Sequence, residues 1–334
     1  MPSPADRPSS AASGPVPAAN SPASGTRRTR RRLVALRLTV AGLGVAAGSA
    51  LLQLLWPPPD RSSSQTALVR PDQLASPPSR PVTVLVLGLD GDRRGAANNG
   101  AAPPGPANSD AMLLVRINPK GPLQVLSLPT ELAVRLPGQQ TFQPLGGLYR
   151  QGGVALSADV VRELVGLAPE QPDRYVVLPR EALRHLVDSV GSLELSPDRP
   201  MRYEDRRQRY RIALEAGLQP MTGEKVEQML RFRDPVWGEA GRRDVVQLVI
   251  PTLVEAMARP EMISQWPSLV GQLEGKVETN LSRSELLSLL AVTLSRPKAI
   301  RFSTLPLAPR QRPDQPLRQI DPRAPEPYWP PASP

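Results

Sequence analysis

The sequence predicts an α/β fold in which a mixed central sheet is flanked by helices in three layers, preceded by one transmembrane helix. Strand-like apolar runs alternate with amphipathic helical segments between residues 82 and 305, as expected for helices packed on a sheet. Residues 38–56 form an apolar run without a charge, long enough to cross a bilayer as a helix. The chain has no Cys and one His, which excludes disulfides and thiolate metal sites and argues against a His-based triad. Any chemistry therefore depends on carboxylates and arginines.

The N-terminal third divides by composition. Residues 1–37 are rich in Pro, Ala and Ser and carry seven Arg against one acid, which predicts a disordered basic tail. Because these charges precede 38–56, we expect a single-pass plasma-membrane protein with a cytoplasmic N-terminus and an extracytoplasmic domain. A cleaved signal peptide is the competing interpretation, and the long basic stretch favours an uncleaved anchor. Residues 57–81 are predicted to be a Pro-rich linker, and 306–334 a disordered Pro-rich tail.

The folded part, 82–305, opens with strands. The run "VTVLVLGLD" at 82–90 predicts a buried strand that leads into the Gly/Pro/Asn-rich loop 91–108. Two further runs, 110–117 and 123–129, are separated by the turn "NPKG" and predict a hairpin.

Helical spacing dominates afterwards. The segment "SADVVRELVGL" predicts a helix with Ser157 as N-cap, and the strand "RYVVLP" leads into the helix "REALRHLVDSVG", which Gly191 ends. Further helices are predicted in "GEKVEQML", in "RDVVQLVIPTLVEAM" around Pro251, and in "NLSRSELLSLLAVTLS" after Asn280 or Ser282. Apolar side chains of the helices at 160–168 and 245–257 are expected to form the core or to line an apolar slot.

One stretch, "LRFRDPVWGEAGRRDVVQ", concentrates arginines around two glycines. Arg231 and Arg233 would share one face of an extended segment, and Arg243 and Gln247 one face of a helix. Arg242 lies about 100° from Arg243 on that helix and is expected to matter less for binding. Planar guanidinium forks suit a phosphate, so the stretch predicts a phosphate clamp. The alternative is a solvated charge run.

The net charge of +10 does not indicate a nucleic-acid-binding protein. The N-terminal tail carries most of the excess, whereas 82–305 holds 27 basic and 25 acidic side chains. A DNA-binding domain carries its basic excess on the folded surface, and this one does not.

Several motifs in order resemble the LytR-CpsA-Psr family of cell-envelope proteins over roughly residues 82–290. They are "LVLGLD", "NSDAMLLVRINP", "VLSLP", "RYVVLPREALRHLVDSVGSLEL", "GLQPMTGEKVEQMLRFRD" and "GRRDVVQLVI". The resemblance implies that family's α/β fold with a prenyl-chain pocket. It also implies a magnesium-dependent phosphotransferase that moves a glycan or polymer phosphate from a polyprenyl pyrophosphate carrier to an envelope acceptor.

The resemblance also implies roles for individual residues. Asp90 and Asp110 match the aspartates that hold magnesium, with Asp92 as the fallback, and together with Arg243 they are the expected catalytic residues. The diphosphate is expected to be held by Arg231, Arg233, Arg243 and Gln247.

The chain departs from the family pattern at three positions. Thr130 and Glu131 stand where the family usually has Arg-Asp, and Asn108 stands where it often has Arg. A guanidinium expected near the phosphate is therefore missing. This favours an alternative from another class, a non-catalytic envelope protein that binds a lipid-linked or anionic polymer. A transcription attenuator, a label this family has carried, ranks third because the domain lacks a basic footprint.

Overall fold

The computed structural model describes residues 70–93, 95–96, 105–206, 210–234, 238–310, 312 and 315–329. The predicted tail 1–37 and membrane span 38–56 lie outside the described residues, as does most of the predicted linker. Among the helices that are described, none is both long and apolar enough to cross a membrane.

The described chain forms twelve strands and seven α-helices. The strands are β1 (Val82–Leu89), β2 (Ser109–Ile117), β3 (Leu123–Ser127), β4 (Ala133–Val134), β5 (Gln143–Pro144), β6 (Arg174–Leu178), β7 (Leu193–Leu195), β8 (Met201–Asp205), β9 (Tyr210–Leu214), β10 (Gln219–Met221), β11 (Glu278–Thr279) and β12 (Ile300–Thr304). The helices are α1 (Leu148–Val165), α2 (Arg180–Ser189), α3 (Gly223–Arg231), α4 (Gly238–Met257), α5 (Pro260–Ile263), α6 (Trp266–Leu273) and α7 (Arg283–Ser295), with short 3₁₀ turns at Pro71–Gln73 and Leu145–Gly147.

Six strands make the central sheet, in the order β11-β6-β1-β2-β3-β12. β2 runs antiparallel to both β1 and β3, which confirms the predicted hairpin. β1 and β6 are parallel, as are β3 and β12, so the sheet is mixed.

Both faces of the sheet are covered by helices. On β1, Leu85 and Leu87 point to one face and are buried with Val161 of α1. Val84 points to the other face and is buried with Leu289 of α7. Alternate residues of a strand face opposite sides, so β1 is apolar on both because both are covered. The predicted mixed sheet flanked by helices is confirmed.

A larger apolar core lies among the helices beyond the sheet. It joins α2, α3, α4, α6 and α7 with the short strands β7 to β10. Trp266 is buried at its centre, and its indole N–H donates to the Met257 carbonyl at 3.0 Å. This core fixes α3 and α4 relative to one another, and those two helices carry the predicted arginines.

Of the two predicted helix N-caps, Ser157 is wrong and Ser282 is confirmed. α1 begins at Leu148 and breaks at Gly152 and Gly153, so Ser157 is inside the helix, its hydroxyl donating to the Gly153 carbonyl at 2.9 Å. Gly153 takes a positive φ of 64°, which glycine adopts without strain. At α7, Ser282 is the N-cap and forms a capping box with Glu285.

The C-terminal segment differs from the disordered tail predicted for 306–334. Trp329 is buried, and the Arg116 guanidinium lies 4.5 Å from the centre of its ring. Arg318 pairs with the segment after β3: its backbone N–H donates to the Glu131 carbonyl at 3.0 Å, and Ala133 N–H donates to the Arg318 carbonyl at 2.7 Å. Prolines favour an extended chain, and here the extended chain packs through widely spaced apolar side chains. A Pro-rich composition therefore did not exclude order.

A cleft of carboxylates and arginines

The candidate site lies where β1 ends and β2 begins. The pairing of the two strands shifts there: Gly88 pairs with Ala111 and Leu89 with Ser109, so Asp110 is an extra residue on β2. Such a bulge bends the strand and turns a side chain out of the regular alternation. The sequence "NSDA" therefore places the Asp110 side chain at the end of the sheet, where it lines a cleft.

Asp90 lies beside it and is almost fully buried. Its two carboxylate oxygens accept from Asn108, one from the backbone N–H at 2.8 Å and the other from the side-chain amide at 3.1 Å. Burial raises the pKa of Asp90 above its ordinary value, and the charge of Asp110 acts in the same direction. The hydrogen bonds from Asn108 and the charge of Arg231 oppose that rise.

Two of the predicted arginines line the opposite wall of this cleft, which has a volume of about 470 Å³. Arg231 is the last residue of α3, and its guanidinium lies 4.3 Å from the centre of the Tyr210 ring. Arg233 follows in the loop, with Nη2 3.8 Å from Asp110 Oδ1. The structure thus brings Arg231 and Arg233 to the two aspartates. The remaining lining comes from Asn108, Ser109, Thr130, Pro144, Gly146, Gly147, Tyr203, Tyr210 and Ile212.

The α4 arginines differ from the sequence prediction, because Arg242 and not Arg243 reaches Asp110. Arg242 is buried and donates through Nη2 to the Asp110 carbonyl oxygen and to Thr130 Oγ1, the latter at 3.3 Å. Its Nη1 lies 3.8 Å from Asp110 Oδ1. Arg243 turns away and donates to Glu131 Oε1 at 2.9 Å. The sequence predicts the ligand-facing role for Arg243 and a lesser one for Arg242, whereas the contacts with Asp110 are made by Arg242.

Gln247 follows Arg243 by one turn of α4 and is not among the residues that line the cleft. Each residue of a helix rotates by about 100°, so turning Arg242 toward Asp110 rotates Arg243 and Gln247 to another side. Of the four residues predicted to hold a diphosphate, Arg231 and Arg233 line the cleft, while Arg243 and Gln247 do not.

A buried carboxylate that the sequence analysis missed supports Arg231. Glu227 is 3% exposed, and its oxygens lie 2.8 Å from Arg184 Nε, 3.4 Å from Arg180 Nε and 3.5 Å from Arg231 Nη1. A buried charge is tolerated only when it is paired, and Glu227 is shared by three guanidinium groups. The signal was present as two pairs four residues apart, Glu227–Arg231 on α3 and Arg180–Arg184 on α2.

Asp92, the fallback metal ligand, is occupied elsewhere. Its carboxylate contacts the guanidinium groups of Arg180 and Arg184. Partial burial opposes the shift, but the bonds and charges of these two arginines hold the pKa of Asp92 below its ordinary value. Asp92 therefore balances the arginines behind the cleft.

Tyr210 separates that cluster from the cleft. Burial raises the pKa of Tyr210 to about 12, the charge of Glu227 adds to the effect, and Arg231 and Arg180 oppose it. The phenol therefore stays protonated at physiological pH and offers the cleft a neutral aromatic wall against which Arg231 is stacked.

The oxygen atoms at the sheet end fit a magnesium ion that is shared with a ligand. Among the residues described, no cluster of three or more His, Cys, Asp or Glu side chains could enclose a metal by itself. Magnesium commonly takes only one or two carboxylates and completes its shell with waters and substrate phosphates. Asp90 and Asp110 are two carboxylates at this position, and the buried Ser109 hydroxyl beside them has no hydrogen-bond partner in the described chain.

The fold and the cleft define a class: an α/β domain with acids and arginines gathered at one end of a mixed sheet. The sequence profile of the LytR_cpsA_psr family matches residues 60–317. The chain belongs to this family, which confirms the resemblance seen in the motifs.

Individual relatives are distant. Biofilm regulatory protein A of Streptococcus mutans is 26% identical over 216 residues, covering 61% of this chain and 51% of the relative. The polyisoprenyl-teichoic acid–peptidoglycan teichoic acid transferase TagU of Enterococcus faecalis is 24% identical, covering 62% of this chain and 63% of the relative. The chain thus spans between half and two thirds of the length of these relatives. The crystal structure of Bacillus subtilis TagV shares the fold with a TM-score of 0.58 at 19% identity, covering 73% of this chain and 91% of that one.

Proposed function

We propose that this protein is a membrane-anchored, extracytoplasmic phosphotransferase. Its donor is a glycan or polymer phosphate on a polyprenyl diphosphate carrier, and its acceptor is a polymer of the cell envelope. The family supports an envelope role, and one relative is named as a teichoic acid transferase that uses a polyisoprenyl-linked donor. The anchor would be the uncharged run 38–56.

The observation that carries the proposal is the composition of the cleft. Asp90 and Asp110 face Arg231 and Arg233 across it, and Arg242 closes it from behind. Breaking a diphosphate requires that developing negative charge be neutralised by groups already aimed at it. The arginines here are held in place by their own partners before a ligand arrives.

An apolar pocket elsewhere in the domain offers room for the prenyl chain. It has a volume of about 450 Å³ and lies between β6, α2, α6 and α7. Side chains such as Leu178, Leu186, Trp266 and Leu290 line it. The slot expected between residues 160–168 and 245–257 is not this one, since Val161 and Val165 of the first helix are buried against the sheet and only Met257 of the second lines the pocket.

The transfer step follows from these positions. An acceptor hydroxyl oxygen attacks the phosphorus that carries the glycan, the bond from that phosphorus to the bridging oxygen breaks, and polyprenyl phosphate leaves. Arg231, Arg233 and Arg242 stabilise the charge that develops on the leaving phosphate. The hydroxyl proton passes to Asp110, the more open of the two carboxylates, whose side chain is 30% exposed.

Asp90 and Asp110 would hold magnesium, which supplies further charge neutralisation at the phosphates when it is bound. Tyr203 adds a half-exposed ring at the rim of the cleft, a surface suited to stacking against a sugar.

The alternative, a non-catalytic polymer-binding protein, depended on the cation missing at Thr130. Arg242 places its guanidinium against the Thr130 hydroxyl, so this corner of the cleft keeps a positive charge. That contact favours the enzyme. The near-balance of charge in 82–305 continues to disfavour a transcription attenuator.

The test is turnover by the full chain in neutral-lipid nanodiscs. The donor is a short polyprenyl diphosphate sugar, and a cell-wall glycan with free hydroxyl groups is supplied as acceptor. Release of polyprenyl phosphate is followed by mass spectrometry with magnesium present or chelated. We expect magnesium-dependent release that is abolished in Asp110→Asn. Binding of the donor without release at any magnesium concentration would favour the non-catalytic alternative.

A further inference from the structure

A strongly basic surface lies at the end of the sheet away from the cleft. It is formed by the turn between β2 and β3 and by the connection from α7 to β12. Its lining residues are Lys120, Gly121, Pro122, Arg296, Lys298, Ala299, Ile300 and Arg301. No acid is among them, although the described domain as a whole is close to neutral. We call this surface the basic patch.

The patch is held in a fixed shape by backbone contacts. Arg296 donates through its guanidinium to the carbonyls of Pro119 and Gly121, both at 3.2 Å. Leu123 N–H donates to the Ala299 carbonyl at 2.8 Å, which ties the β2–β3 turn to the start of β12. The two connections therefore form one surface.

The chemistry of the patch favours an extended polyanion over a small anion. The Arg296 guanidinium already donates to two backbone carbonyls, so it does not offer a bidentate pair of N–H groups to a single phosphate. Lys120, Lys298 and Arg301 are exposed on a shallow surface and offer separate charges on long stems. Separate exposed charges gain little individually, but they add along a polymer that carries a charge on every repeat.

The position of the patch indicates which polyanion it meets. Val82 and Ile117 pair at the patch end of β1 and β2, whereas Leu89 and Ser109 pair at the cleft end. Eight residues of strand separate the two ends by roughly 25 Å. If the proposed function holds, the reaction takes place at the cleft end, so the patch is separated from it by the length of the sheet.

We propose that the basic patch binds an anionic, phosphate-bearing envelope polymer, the acceptor or product of the transfer. This inference rests on the proposed function for the identity of the polymer. The patch would hold a polymer chain near the domain while its reactive end occupies the cleft.

The test compares two triple variants of the full chain in neutral-lipid nanodiscs. Calorimetry measures binding of linear polyphosphate over a range of KCl concentrations. The patch variant is Lys120→Gln/Lys298→Gln/Arg301→Gln. The control removes the same charge from three exposed cations elsewhere, Lys225→Gln/Lys276→Gln/Arg323→Gln.

We expect the patch variant to lower the slope of log affinity against log salt by about 2, because each phosphate contact contributes about 0.7–0.9 to that slope. The control should keep the parental slope. Equal losses in both variants, or none in the patch variant, would overturn the proposal. Binding of a short prenyl diphosphate should be unchanged in the patch variant. A failure of donor turnover alone would overturn the proposed function while leaving the polymer result intact.

A second arm tests the membrane as the competing ligand. Because the chain has no Cys, Lys298→Cys accepts a single environment-sensitive fluorophore. We expect its emission to respond to polyphosphate and to be equal in phosphatidylcholine discs and in discs that also contain phosphatidylglycerol. A blue shift confined to the anionic discs would assign the patch to the bilayer and overturn the proposal.

Discussion

The two ends of the central sheet use positive charge in opposite ways. At the cleft end the arginines have acidic partners: Arg231 has Glu227, Arg243 has Glu131, and Arg242 has Asp110. At the patch end, no Asp or Glu is among the residues that line the surface. A buried guanidinium that is held by an acidic partner is already oriented before a ligand binds, so the loss of any one of them is expected to weaken ligand binding. Exposed cations act through their sum and are screened by salt.

The largest effect that tests this contrast is at Glu227. We expect Glu227→Gln to lower the free energy of unfolding by about 3 kcal/mol, because it leaves three guanidinium groups around a neutral side chain in the core. Glu224→Gln, on the exposed side of the same helix, should change it by less than about 0.5 kcal/mol. Thermal unfolding in neutral detergent measures both. Similar small losses in the two variants would mean that the buried cluster does not preorganise the cleft.

The next effect separates the two α4 arginines. We expect Arg242→Ala to weaken binding of a short prenyl diphosphate by about one to two decades, as charge-assisted hydrogen bonds contribute about 1.5–3 kcal/mol each. Arg243→Ala should cost less, because its guanidinium is directed to Glu131. Calorimetric titration decides the order. A greater loss at Arg243 would restore the clamp that the sequence predicted.

A third variant tests whether ligand binding at the corner beside Thr130 requires one cation or two. Thr130→Arg should give no gain in the parent, because Arg242 already contacts the Thr130 hydroxyl and Gly146 packs against this residue. In an Arg242→Ala background the same change should recover about tenfold in affinity. A gain in the parent would mean that the cleft lacks a cation after all.

The pH dependence tests the acidic half of the cleft. The pKa of Asp90 is raised in the folded chain, so its contribution to stability is present below the unfolded pKa and is lost as the pH rises through the folded value. Turnover requires the ionised form, so activity should fall on the acidic side at a higher pH than for an ordinary carboxylate. Asn108→Ala removes the side-chain amide bond that favours the charged form, keeps the backbone bond, and should move that fall to still higher pH. A pH–rate profile unmoved by Asn108→Ala would exclude Asp90 as the group that titrates.

The last comparison concerns salt. Between 50 and 200 mM KCl, we expect binding of the prenyl diphosphate to weaken by only a few-fold, whereas binding of polyphosphate should weaken by at least tenfold, on the order of three phosphate contacts. Parallel titrations of the parent chain measure both. Equal salt dependence would remove the distinction between the two ends.

Local patterns predicted most of the elements that carry the cleft. The apolar run before Asp90, the hairpin that follows it and the helix after Leu178 lie where periodicity placed them. The strands bury their apolar side chains under the covering helices, and the helix buries its apolar face in the large core beyond the sheet. The approach of Arg231 and Arg233 to Asp90 and Asp110 was expected from the family motifs and is seen in the cleft.

What the sequence missed depends on how separate elements meet. The choice between Arg242 and Arg243 is a matter of helix rotation, which the packing of α4 on the large core decides and local spacing does not. In the sequence, Glu227 occupies an ordinary polar position of an amphipathic helix, and it becomes buried only because α2 packs against α3. The order of the segment around Arg318 depends on partners nearly two hundred residues earlier in the chain.

That last contact has a consequence for the order in which the protein is built. Glu131, which holds Arg243, belongs to a segment whose backbone is paired with Arg318. All six strands of the central sheet have been synthesised by residue 304, before Arg318 is added. Until then the acid-bearing segment after β3 has no neighbour on that side. The corner beside the cleft is therefore completed late in synthesis, so a nascent or truncated chain lacks the backbone pairing that supports Glu131, the partner of Arg243.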